Sequence, residues 1–168
     1  MKSFFLGLLA LTLCFSAEAQ KPYSIAPDEQ TGGLVFKGPL TLTDLNGEPA
    51  FKWMKAGQSQ YKPDEADIAL LKKRLPGHHF VIFMGTWCDD SQNLIPKLAK
   101  VLELSNFPQS EIRIWGVDRA KLSTGIDTKA YDVKLVPTII LYEGDKETGR
   151  IVESVHKSIE ADLAAMLR

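Results

Sequence analysis

Phe80-Val81-Ile82-Phe83-Met84-Gly85-Thr86-Trp87-Cys88-Asp89-Asp90-Ser91 is the stretch on which the fold turns. Five consecutive apolar residues, Phe80 to Met84, are long enough for one strand and carry no polar alternation. That is the pattern of a central strand buried on both faces. The cysteine follows within four residues. Asp89 and Asp90 then stand where acids suit the positive end of a helix, which the apolar spacing carries to about Leu104 with Leu94, Leu98, Val101 and Leu102 inward. Pro96 lies inside that helix and should kink it.

Downstream, Ile112-Arg113-Ile114-Trp115-Gly116-Val117 predicts a second strand. A polar segment and Tyr131 to Val136 lead to Pro137. Thr138 to Tyr142 and Arg150 to Val155 read as two strands joined by the turn Glu143-Gly144-Asp145. Ser158 caps a last helix with Ile159, Leu163 and Met166 on one side. Upstream, Pro63 and the acids Asp64, Glu65 and Asp67 open a helix that buries Ile68, Leu71 and Leu75 and stops at Pro76-Gly77. Leu34 to Leu45 suggests two short strands broken at Gly38-Pro39, with Asn46-Gly47 as a turn. Phe51, Trp53 and Met54 are apolar enough to pack on the core, and the chain from there to Pro63 reads as irregular. Strand, helix, strand, hairpin and helix make an α/β fold, with a central mixed sheet flanked by helices.

The chain has 168 residues, a net charge of −1 and two cysteines, Cys14 and Cys88. It is of single-domain size, with apolar content ordinary for a globular protein. No basic stripe argues for nucleic acid. Lys2, the apolar run Phe4 to Phe15 and the small residues Ala17 and Ala19 have the layout of a secretory signal peptide, residues 1–19, cleaved after Ala19. The apolar run is far short of the roughly 20 residues that span a bilayer. The expected destination is the periplasm or the extracellular space. Leu11-Thr12-Leu13-Cys14 resembles a lipoprotein box, although Leu13 stands where a small residue is usual. A membrane association is expected only if Cys14 is lipidated. Either way the mature chain keeps one free thiol, Cys88, and an intramolecular disulfide is excluded. Residues 20–33 are polar and turn-rich and read as a linker. Residues 34–168 are the domain, with 34–78 an N-terminal extension plus first helix and 79–168 the core.

With Thr86-Trp87-Cys88 at a helix start, Pro96 eight residues later and Val136-Pro137-Thr138 before two strands and a helix, the chain resembles the thioredoxin superfamily over about residues 80–168. Trp87-Cys88-Asp89-Asp90-Ser91-Gln92 with Val117-Asp118-Arg119 is similar to a group of bacterial members carrying a Cys-X-Asp-Ser motif. The resemblance implies that Val136-Pro137-Thr138 is a cis-proline loop beside Cys88, presenting Val136 backbone to an extended substrate segment. It implies catalytic roles for Cys88, Ser91 and Trp87 and substrate binding by Val136, Pro137 and Thr138. It also implies departures. Ile82 stands where thioredoxins often bury an acid, and Ser91 stands in place of the second cysteine.

A cysteine at a helix N-terminus is favoured as thiolate, the nucleophilic form; thioredoxin is itself the standard example of that effect. Ser91, three residues on, can donate a hydrogen bond to it, and Trp87 can shield one side. Asp89 and Asp90 oppose the thiolate, or simply stabilise the helix. A serine hydroxyl cannot release a mixed disulfide, so an outside thiol must. Two readings stand: monothiol exchange with protein or low-molecular-weight thiols and disulfides, or a redox-inactive binding or chaperone-like module using the groove beside Pro137. Dimerisation through Cys88 is a third, minor one. No metal or cofactor is expected. The adjacent His78 and His79 point to opposite faces of a strand, His156 is isolated, Trp53, Trp115 and Tyr131 suit packing, and there is no glycine-rich phosphate loop.

Overall fold

A computed structural model of the chain describes residues 21–168. The signal peptide and Cys14 expected from the sequence lie outside the described residues. The apolar run forms β3, His78–Met84, with Phe80 to Met84 all buried. Its alternation explains why the run is continuous. Phe80, Ile82 and Met84 enter the larger of two hydrophobic layers, and Val81 and Phe83 enter the smaller, since successive strand residues face opposite sides.

Six strands form one mixed sheet in the order β1-β2-β4-β3-β5-β6. They are β1 Ser24–Pro27, β2 Leu34–Leu40, β3, β4 Ile112–Gly116, β5 Thr138–Glu143 and β6 Lys146–Val152. β3 and β4 are parallel and the other pairs antiparallel. Helix α4, Asp89–Leu104, makes the crossover between the two parallel strands, as a parallel pair requires. The remaining helices are α1 Leu42–Gly47, α2 Lys52–Gln60, α3 Glu65–Arg74 and α5 Ile159–Met166. Leu45, Met54, Leu71, Leu98 and Leu163, one from each of the five, all reach the larger layer. The smaller layer is closed by Val117, Val133 and Val136 from the β4–β5 connection. No helix among the described residues is long and apolar enough to cross a membrane.

Five local expectations are corrected. The linker over 20–33 contains β1, paired with β2 from Ser24↔Lys37 to Pro27↔Leu34, and buries Tyr23 and Asp28. Every residue of β1 is exposed, so no apolar alternation announced it. The two strands expected over 34–45 are one strand and then α1. Pro39 is accommodated because it lies past the end of β1, where β2 has only β4 beside it, and a missing N–H costs no ladder bond there. The turn expected at Asn46-Gly47 falls at the end of α1. A capping box decides this: Asp44 N–H donates to Thr41 Oγ1 at 3.0 Å while Thr41 N–H donates to Asp44 Oδ2 at 2.9 Å. The irregular segment before Pro63 is α2, whose Gly57 packs so closely on α4 that a Cβ there would lie 2.7 Å from Pro96 Cβ. The last strand spans 146–152 rather than 150–155. Glu153, at φ 58°, turns the chain out of the sheet.

Candidate active site

The loop between β3 and α4 is held by four different neighbours. Thr86 Oγ1 accepts the Phe36 N–H at 3.1 Å and donates to Leu34 O at 2.6 Å. It thereby takes the place of a ladder rung, because β4 pairs with β2 only from Gly38 onward. Gln92 reaches back from the first turn of α4, donating Nε2 to Thr86 O at 2.8 Å. The Trp87 indole donates Nε1 to Val117 O at 2.9 Å. Gly85 N–H donates to Ser91 Oγ at 3.2 Å.

Cys88 is the N-cap of α4, with extended backbone and no side-chain capping bond. Its side chain is half-buried against the smaller layer. The thiol donates to Val136 O at 3.2 Å. The Val136–Pro137 bond is cis. The other acceptors of that loop are engaged within the protein: Pro137 O accepts from Glu153 N–H at 2.8 Å, and Leu135 O from Thr138 Oγ1 at 2.7 Å.

Of the residues singled out in the sequence, Cys88, Val136 and Pro137 are brought together, and Trp87 forms the adjoining wall. Thr138 is buried, with its hydroxyl turned to its own chain. Ser91 departs from expectation. It is fully buried, and its oxygen accepts from Gly85; the hydrogen bond of Cys88 goes to Val136 instead. An N–H orphaned by the turn at Gly85 claims the hydroxyl, since a buried donor left unpaired is costly. Asp89 and Asp90 are exposed at the first turn of α4.

A second wall comes from residues far apart in sequence. The Arg119 guanidinium lies 4.5 Å from the Trp87 ring centroid. It forks onto Asp28, Nε to Oδ1 at 2.7 Å and Nη2 to Oδ2 at 2.8 Å. The guanidinium, with the Thr31 hydroxyl and N–H, holds the Asp28 carboxyl well below the usual carboxylate range, and Asp28 in turn raises Arg119. Lys121 Nζ stands 5.7 Å from the same ring, and Lys37 of β2 pairs with Asp118 at 2.6 Å. Arg119 and Gln92 stood within the motifs quoted from the sequence; Asp28, 91 residues from its partner, carried no local signal.

His78 and His79 open β3, at the end of that strand remote from Cys88; His79 stacks on Tyr142 with centroids 5.2 Å apart. Trp53 packs on the larger layer, Trp115 and Tyr131 on the smaller. Among the described residues no group of three or more His, Cys, Asp or Glu is placed to hold a metal ion.

A buried strand, a single thiol capping the following helix and a cis-proline loop within hydrogen-bond reach of the sulfur thus meet at one end of the interior strands β3 and β5. The thioredoxin family model matches residues 61–166. The chain belongs to the thioredoxin family. Within the family match lie α3, β3, Cys88, Pro137 and the whole of α5; β1, β2, α1 and α2 precede it. No curated protein matches the chain. Among solved structures, it is similar to a protein of unknown function from Pseudomonas aeruginosa, at 17% identity and a TM-score of 0.45 over 68% of this chain and 69% of that one. It is also similar to an HIV epitope-scaffold protein, at 18% identity and a TM-score of 0.44 over 69% of this chain and 70% of that one.

Proposed function

We propose that this thioredoxin-family chain carries out monothiol thiol–disulfide exchange through Cys88 outside the cytoplasm. The observation that carries the reading is the position of the sulfur: at the head of α4, half-buried, and 3.2 Å from the carbonyl that precedes cis-Pro137. In the exchange, the Cys88 thiolate attacks one sulfur of a disulfide. A Cys88–S–S–R bond forms, the S–S bond of the attacked disulfide R–S–S–R′ breaks, R′ leaves as a thiolate, and the proton that Cys88 gave up has gone to solvent. An external thiol R″–SH then attacks the R sulfur, restoring Cys88 as the leaving thiolate and carrying R away as the disulfide R–S–S–R″. A thiolate or a disulfide sulfur cannot donate to Val136 O, so the first step frees that carbonyl to accept an N–H from an extended partner segment.

Ser91 supports a monothiol course twice over. It has no sulfur to resolve the mixed disulfide, and its oxygen is occupied by Gly85. The leader pattern of residues 1–19 supports export, with lipidation at Cys14 as the variant that would keep the domain at a membrane. Partners are protein or low-molecular-weight thiols and disulfides.

A second reading, a redox-inactive binding module using the groove beside Pro137, is favoured by the lack of a second cysteine and by the engaged state of the Cys88 thiol. Cells producing the chain, quenched with an alkylating agent and run on non-reducing gels, separate the two. The exchange reading expects covalent adducts that vanish with Cys88→Ala, together with loss of function in that variant. Full function of Cys88→Ala, without adducts in the wild type, would establish the binding reading instead.

A further inference from the structure

Two cations lie over the Trp87 indole and a carboxylate holds one of them, and the exchange scheme uses none of the three. Arg119 lies over the ring, Asp28 grips Arg119 from the loop after β1, and Lys121 Nζ lies 5.7 Å from the ring centroid. The two members of the ion pair are unequally exposed. The Asp28 side chain is 3% exposed and the Arg119 side chain 33%. The anion is therefore sealed inside, and solvent meets the cation. Lys121 forms no ion pair among the described residues; its ammonium donates to Arg119 O at 3.0 Å. Countering them, Asp89 and Asp90 follow the cysteine in sequence and are exposed at the start of α4.

We infer that Arg119, oriented by Asp28, is a positioning and specificity residue that gives Cys88 a cationic approach on its Trp87 side, so that anionic reaction partners are favoured over neutral ones of the same size. The inference rests on Cys88 being the reacting group, as proposed above. The substrate class it names is thiols or disulfides bearing a carboxylate close to the sulfur, which Arg119 and Lys121 would meet as the sulfur approaches Cys88. Guanidinium is suited to this task because its planar fork serves Asp28 with two N–H groups and leaves others toward solvent. The affinity of Arg119 for its proton is raised, first by Asp28 and last by the Cys88 sulfur. It also follows that the chain immediately after residue 20 builds one wall of the site, although the family match begins only at residue 61.

The test uses two alkylating probes of nearly equal size, anionic iodoacetate and neutral iodoacetamide. Both react with the same thiolate, so the ratio of their rates at one pH cancels the thiolate fraction and reads the local charge. Removing one partly solvated charge from over the Trp87 ring, the residue next to Cys88, should change that ratio by about threefold at low salt. Arg119→Met, which keeps an apolar stem over Trp87, should lower the ratio by that factor. Arg119→Lys should leave it near the wild-type value. Asp28→Asn should raise it, because the cation then lacks its internal counter-charge. A purely structural role would move Arg119→Met and Asp28→Asn in the same direction, since both break the same ion pair; that result, or a ratio unchanged in both, overturns the inference. Should Arg119→Met fail to fold, Asp28→Asn and the salt dependence of the wild-type ratio still decide: the ratio must fall as salt rises. Alkylation needs no disulfide. A wild type that alkylates with the expected ratios but forms no mixed disulfide therefore refutes the exchange reading alone. A Cys88 inert to both probes refutes the two together.

Discussion

Replacing Thr86 by valine keeps the shape of the side chain and removes its hydroxyl. Two backbone groups of β2 lose their partner at once: the Phe36 N–H, held at 3.1 Å, and the Leu34 carbonyl, held at 2.6 Å. Thr86 is 3% exposed and Phe36 fully buried, so water cannot easily replace the hydroxyl at the N–H. A buried polar group left unsatisfied costs about 1–3 kcal/mol. Leu34 is only half-buried, which places the carbonyl at the lower end. The two together give about 2–4 kcal/mol, a large part of the roughly 5–15 kcal/mol that a domain has in total. For a chain of this size that corresponds to a fall in Tm of about 5–15 °C. Thr86→Ser retains both bonds and gives up one methyl group, worth about 0.8 kcal/mol. Urea unfolding of the wild type and both variants, followed by tryptophan fluorescence, measures the difference. If Thr86→Val were no less stable than Thr86→Ser, the hydroxyl would not be tying the cysteine loop to β2, and the reasoning would fail.

Gly57→Ala should destabilise by about 1–3 kcal/mol through overpacking, because its Cβ would fall 2.7 Å from Pro96 Cβ across the α2–α4 contact; a neutral result in thermal melts would deny that close approach. Asp28→Asn should lose stability in a pH-dependent way. The folded-state carboxyl is held below its ordinary value by Arg119, so its contribution is complete above the unfolded carboxylate pKa of about 3.9. It is lost as pH falls through the lower folded value. The gap in Tm between wild type and variant should therefore be widest near neutrality and close in strong acid; a gap that widens on acidification would contradict the ion pair.

Where the fold could be read from the sequence, local signals and tertiary demands agree. Phe80 to Met84 needs two buried faces and has them. The spacing of Leu94, Leu98, Val101 and Leu102 buries one face of α4. Asp64 and Ser158 cap α3 and α5 through their side chains. Where reading failed, a distant partner decided the outcome. Gly57 weakens α2 as a helix on its own and strengthens it as a surface for Pro96. β1 exposes all its residues and is fixed by backbone pairing with β2. Asn46-Gly47 carries a turn signature that the Thr41–Asp44 capping box overrides. At the site, the positions of Cys88 and Pro137 follow from motif spacing, whereas the direction of the Ser91 hydroxyl does not. Three residues after the cysteine, a serine can face the sulfur or the loop, and the unpaired Gly85 N–H settles it. The Asp28–Arg119 pair joins segments 91 residues apart and has no expression in local pattern.

The central claim, that Cys88 forms a mixed disulfide and cannot resolve it unaided, is tested most directly by intact-mass spectrometry after exposure to glutathione disulfide. One glutathionyl adduct per chain is expected, located on Cys88, stable after removal of the reagent and discharged only when an external thiol is added. Cys88→Ser should show none. A folded wild-type protein that takes up no adduct, or one whose adduct is discharged without any added thiol, would contradict it.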